Sequence, residues 1–139
     1  MKNIFILLGF LLTTTIAVAQ NNSWKITLNN KVLIATVKED EAKNTKKIKA
    51  ADWKKNGYFQ INYKEKDTSV FYRSFLFFDE NDNEILRKDT VRNYKIPAKD
   101  LIKLFAGKKE IHIYTIISPK DPNLAIRVRR VHLCTLQLQ

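Results

Sequence analysis

The stretch "VFYRSFLFFD", Val70 to Asp79, decides how the rest of the chain is read. It is apolar at both odd and even positions except for Arg73 and Ser74. A strand with one wet face would alternate, so this segment predicts a central strand covered on both sides. Outward from it, "DENDNE" (Asp79 to Glu84) supplies a turn and "EILRKD" a shorter return strand, which together read as a hairpin. Asp79, Asn81 and Asn83 stand at alternate positions, as in the first half of an EF-hand loop. The remainder of that signature fails, because Glu84 replaces the required glycine and Thr90 stands at position twelve.

The flanking segments keep the same rhythm. "WKITL" alternates Trp24, Ile26 and Leu28 against Lys25 and Thr27, and "YFQINYKE" alternates Phe59, Ile61 and Tyr63 against Gln60, Asn62 and Lys64. "VLIATV" (Val32 to Val37), "RNYKI" and "EIHIYTIIS" (Glu110 to Ser118) add three more β segments. "SPKDPN" (Ser118 to Asn123) separates the last two strands. One segment, "PAKDLIKLFAG", predicts a short helix near 98–106, with Pro97 at its start, an apolar stripe of Leu101, Ile102, Leu104 and Phe105, and Gly107 at its end. The expected fold is all-β: an antiparallel β-sandwich, Ig-like or jelly-roll-like, of seven to nine strands. A small closed β-barrel is the alternative.

The N-terminus "MKNIFILLGFLLTTTIAVAQ" has the three parts of a secretory signal: Lys2, an apolar run from Ile4 to Leu12, and the A-x-A site Ala17-Val18-Ala19. Thr13 to Thr15 break the run well short of the roughly 20 residues that a membrane span needs. The expectation is a signal peptide at 1–19 and a single domain at 20–139, with no transmembrane segment in the mature chain. The chain has one cysteine, Cys134, so no cysteine follows the cleavage site to take a lipid. A periplasmic or extracellular protein that is not a lipoprotein is expected.

Removing Lys2 from 25 basic residues leaves 24 against 14 acidic ones, a net charge of +10. Such a charge favours acidic partners, and for an exported protein an anionic glycan, a lipid head group or an acidic protein is more accessible than DNA. No RNP-type motif or zinc-finger spacing accompanies the aromatic residues, so no specific nucleic acid is expected. The densest basic cluster, "KNTKKIKAADWKK" (Lys43 to Lys55), follows the acidic Glu39 to Glu41 and reads as a solvated face. Only Gly57 and Gly107 remain as glycines in the mature chain, which excludes a Walker loop, a dinucleotide fingerprint and a nucleophile elbow. Neither paired carboxylates nor a nucleophile motif stands out, so catalysis is not expected.

"IRVRRVHLCTLQL" (Ile126 to Leu138) predicts the last strand and holds the two candidate sites. Arg127, Arg129 and Arg130 suit phosphate, sulfate or carboxylate groups if all three point outward. Arg130 falls on the core side in an unbulged strand, and a bulge at Arg129–Arg130 would turn it out. The same unbulged register puts His132 and Cys134 side by side on one face. With His112 from the preceding strand they would make a copper or zinc ligand set. The leading expectation is a non-catalytic binding or structural module of the bacterial cell envelope. A small periplasmic metal-binding protein using His112, His132 and Cys134 is the alternative.

Overall fold

The computed structural model describes residues 22–53, 56–66 and 68–139. The signal-peptide reading falls on residues outside this set. Among the described residues nine strands form two sheets. The four-stranded sheet has the order β2 (Lys31–Thr36), β1 (Ser23–Leu28), β4 (Tyr58–Lys64) and β7 (Asn93–Pro97). The five-stranded sheet runs β3 (Thr45–Ile48), β9 (Val131–Leu138), β8 (Glu110–Pro119), β5 (Phe71–Asp79) and β6 (Glu84–Lys88). The two sheets stay separate and no barrel closes, so the protein is an all-β, sandwich-like fold.

Phe75 and Phe77 of β5 face Phe59 and Ile61 of β4 across the core, all fully buried. Burying each such side chain contributes about 1.5–3 kcal/mol. The helix α1 (Ala98–Leu104) follows β7 directly and buries Ala98 and Leu101, while Phe105 beyond it packs edge-on to Trp53. Pro97 lies one residue earlier than the sequence suggests, as the N-cap. Gly107 ends the segment at φ +75°, a conformation that favours glycine. The predicted hairpin forms: Asp79 Oδ1 accepts the backbone N–H groups of Asn81 and Asn83, each at 3.0 Å, and closes the β5–β6 turn.

Three expectations need correction. Residues 43–55 are not merely a solvated face, because β3 lies within them and pairs in parallel with β9. The sandwich is therefore not wholly antiparallel. The last strand begins at Val131 and not at Ile126, leaving 124–130 without regular pairing. Neither register open to this strand, unbulged or bulged at Arg129–Arg130, is the one formed: the bulge lies at Leu133–Cys134, where Ile113 pairs with Cys134 but the next residue, Tyr114, pairs with His132. Ile113 and Tyr114 are neighbours on a strand and point to opposite faces. Cys134 thus joins Ile113 in the core, whereas His132 joins Tyr114 outside. The bulge also lets Leu133, Cys134 and Leu136 all be buried. Its Leu133 carbonyl accepts the indole N–H of Trp24 at 3.0 Å, a buried link from one sheet to the other.

Candidate functional site

The outer faces of the two sheets carry opposite chemistry. In the four-stranded sheet, Trp24, Ile26 and Leu28 take the core side and leave Lys25 outside. Pairing then aligns one residue from each strand across the outer face: Ala35, Lys25, Asn62 and Asn93. A second row holds Thr27, Gln60 and Lys95. At roughly 4.8 Å per strand the first row spans about 14 Å. An open cleft of about 630 Å³ lies beside it, with Lys25, Ala35, Asn62, Lys64 and Asn93 in its walls.

No acidic residue occurs in any of these four strands, while Lys25, Lys31, Lys64 and Lys95 do. Among the described residues none of the four lysines makes an ion pair. Lys95 instead sits 4.0 Å from the ring centre of Tyr58. This face escaped the sequence reading because its lysines are far apart in the chain. The available signal was four β segments that alternate apolar residues with lysine and amides and contain no carboxylate.

The arginines of the candidate ridge are placed otherwise. Arg129 pairs with Glu39, and Arg130 pairs with Asp82 at 3.1 Å. Arg130 also lies 4.9 Å from the ring centre of Phe78 and 5.0 Å from that of Tyr114, so it faces outward over the five-stranded sheet. Arg127 and Arg129 border a separate recess of about 190 Å³ beside Arg73. The three guanidinium groups therefore do not form one ridge, and two of them already carry carboxylates.

Arg73, buried at 6% exposure, is the residue that interrupts the central strand in sequence. It makes a two-point contact with Glu65, both distances 2.9 Å, and its third donor reaches Thr115 Oγ1 at 2.9 Å. Its guanidinium stands 3.9 Å from the ring centre of Tyr63, which in turn stacks on Trp24. Burial alone would raise the Glu65 pKa, but the hydrogen bonds and charges of Arg73 and then Arg92 outweigh it and hold the carboxyl below its usual range. This network is structural: every polar arm of Arg73 ends on the protein.

On the outer face of the five-stranded sheet, β5 and β8 place Phe78 opposite His112, and β8 and β9 place Tyr114 opposite His132. His112 Nδ1 and His132 Nε2 lie 3.1 and 2.8 Å from the same Thr135 hydroxyl. The two histidines expected to converge do so, and Glu41 from the β2–β3 connection joins them. Cys134 does not. It is fully buried among the core side chains, and that burial pushes its thiol far above the usual range. A thiolate-containing set with His112 and His132 is therefore not assembled by this fold.

Among the described residues no helix is long and apolar enough to cross a membrane. Comparison of the chain with protein-family models, with curated proteins and with solved structures gave no match to set beside this geometry.

Proposed function

We propose that this is an exported, non-catalytic binding module of the bacterial cell envelope, which takes an anionic glycan on the outer face of the four-stranded sheet. The observation that carries the reading is the acid-free row of that sheet, where lysines stand without carboxylates beside Asn62, Asn93 and Gln60. Lysine ammonium groups attract carboxylate, sulfate or phosphate, and amide side chains hydrogen-bond to hydroxyls. A flat lattice holding both suits a charged sugar polymer better than a bare phosphate. The export half of the proposal rests on the signal-like residues 1–19.

The test is binding of the full exported chain to immobilised anionic polysaccharide, with a neutral polysaccharide and anionic vesicles as parallel arms. The expected result is retention on the anionic polymer that weakens between about 0.05 and 0.5 M salt, as screening shortens the range of surface charges. Replacing Lys25, Lys64 and Lys95 together by alanine is expected to weaken binding at least about tenfold, some 1.4 kcal/mol. Replacing Arg127 and Arg129 is expected to do much less. Retention indifferent to the three lysines would overturn the assignment of the face. Preference for the vesicles would replace the glycan with a lipid head group.

A further inference from the structure

The outer face of the five-stranded sheet carries a second, independent site. We propose that Glu41, His112 and His132 bind a zinc-class divalent metal ion there. One ligand atom from each of the three lies within 4.8 Å of the other two. Tetrahedral zinc, with bonds near 2.0–2.1 Å, sets its ligands about 3.4 Å apart, so a modest contraction would close the set. Glu41 is exposed on a connecting turn, where its side chain has room to approach, whereas both histidines are fixed on paired strands.

The surroundings of His132 point the same way. The residue is only 5% exposed, and its Nδ1 is a buried atom with no hydrogen-bond partner among the described residues. Buried polar atoms are normally satisfied, so an orphan in a histidine pair asks for an explanation. The Thr135 hydroxyl oxygen has two lone pairs and can accept a ring N–H from each imidazole. An imidazole that donates there keeps its other nitrogen as a lone pair. For His132 that other nitrogen is the orphaned Nδ1.

Glu39 Oε1 accepts the backbone N–H of His132 at 2.7 Å and steadies the strand end. Glu110 Oε2, 3.5 Å from His112 Nε2, is the next carboxylate beside the pair. Two cations on the same side of the sheet, Arg129 and Arg130, are engaged with Glu39 and Asp82. Two imidazoles and one carboxylate form a nitrogen–oxygen set typical of zinc, with room left for water or a further ligand.

The experiment is calorimetric titration of the metal-stripped full chain with zinc chloride at pH 7.5. Histidine ring resonances followed by NMR identify the ligands. One saturable site per chain is expected, with both histidines shifting together. Glu41→Gln, a change at an exposed position that leaves the fold alone, is expected to weaken zinc at least tenfold, and His112→Gln to abolish the site. Cys134→Ser and the triple lysine variant are expected to bind zinc as the wild type does. No saturable binding, unperturbed histidine resonances, or binding lost in Cys134→Ser and kept in Glu41→Gln would each overturn the proposal. Because the lysines lie on the opposite sheet, failure here leaves the polysaccharide reading standing, and the reverse also holds.

Discussion

The outer face of the five-stranded sheet and that of the four-stranded sheet treat charge in opposite ways. Around the first, Arg87 meets Glu84, Lys108 meets Asp79, Arg129 meets Glu39 and Arg130 meets Asp82. On the second, lysines stand among amides with no carboxylate in any strand. A net charge of +10 on residues 20–139 is therefore not spread evenly in effect. Where cations are matched inside the protein, their field is spent locally. Where they are not, it reaches solvent and any polyanion in it. Counting basic residues in sequence windows hides this difference, because it is made by pairing across strands.

The comparison is most severely tested at the matched charge buried deepest. Glu65→Gln leaves the Arg73 guanidinium enclosed without its anion, and a loss of about 3–5 kcal/mol is expected from the urea unfolding midpoint. A loss under about 1 kcal/mol would mean that Arg73 is wetter than its 6% exposure implies.

Acid should dismantle the same matched charges. The Lys108 hydrogen bond, followed by the backbone N–H of Asn83, holds Asp79 well below the usual carboxylate range, and Glu65 is lowered too. Folded carboxyls with lowered pKa values bind fewer protons than their unfolded counterparts. Their stabilisation is thus complete above the unfolded values, about 3.9 for Asp and 4.3 for Glu, and is lost as pH falls through the folded ones. The expected outcome is an unfolding midpoint that is level from pH 7 to about 5 and drops below it. Glu65→Gln should flatten that drop.

A smaller effect is expected at the inter-sheet link. Trp24→Phe keeps an aromatic ring against Tyr63 but removes the donor to Leu133, and the buried carbonyl left behind should cost about 1–3 kcal/mol by the same measurement. Smallest of all is the change expected in the triple lysine variant. With no ion pairs to lose among the described residues, and only the Lys95–Tyr58 ring contact to give up, its stability should stay within about 1 kcal/mol of the wild type for each substitution, while binding to polyanion falls. A large destabilisation there would show that the lysines serve the fold and would undo the contrast between the two faces.

Much of the fold was legible because strand rhythm is local. Phe71–Asp79 of "VFYRSFLFFD" does become a strand, buried on both faces from Arg73 onward, "DENDNE" does make its hairpin, and Pro97 to Gly107 does bracket the one α-helix among the described residues. The strand "TKKI" was hidden, since four residues with two lysines give no apolar alternation, and its partner β9 lies about ninety residues away. The register of the last strand was legible in principle. Its apolar residues run at odd positions through Val131 and Leu133, then at even ones through Cys134, Leu136 and Leu138. That change of phase marks the bulge. Attention to the arginines left only an unbulged register, which set Cys134 beside His132, or a bulge at Arg129–Arg130, four residues before the one that forms. Glu41 carried no such signal, because nothing local ties a residue of a turn to histidines on β8 and β9.

The placement of β9 also governs the order in which the molecule can be assembled. It follows the other eight described strands in sequence, yet it lies inside its sheet, between β3 and β8, and its Leu133 receives Trp24 from 109 residues away. Until it is in place β3 has no sheet partner, and β8 presents an open, isoleucine-rich edge. Such an edge invites pairing with another chain. Closure depends on contacts between distant parts of the sequence, which places folding in the slow, millisecond-to-second class of β topologies. The interval before β9 docks is when this chain is most exposed to aggregation.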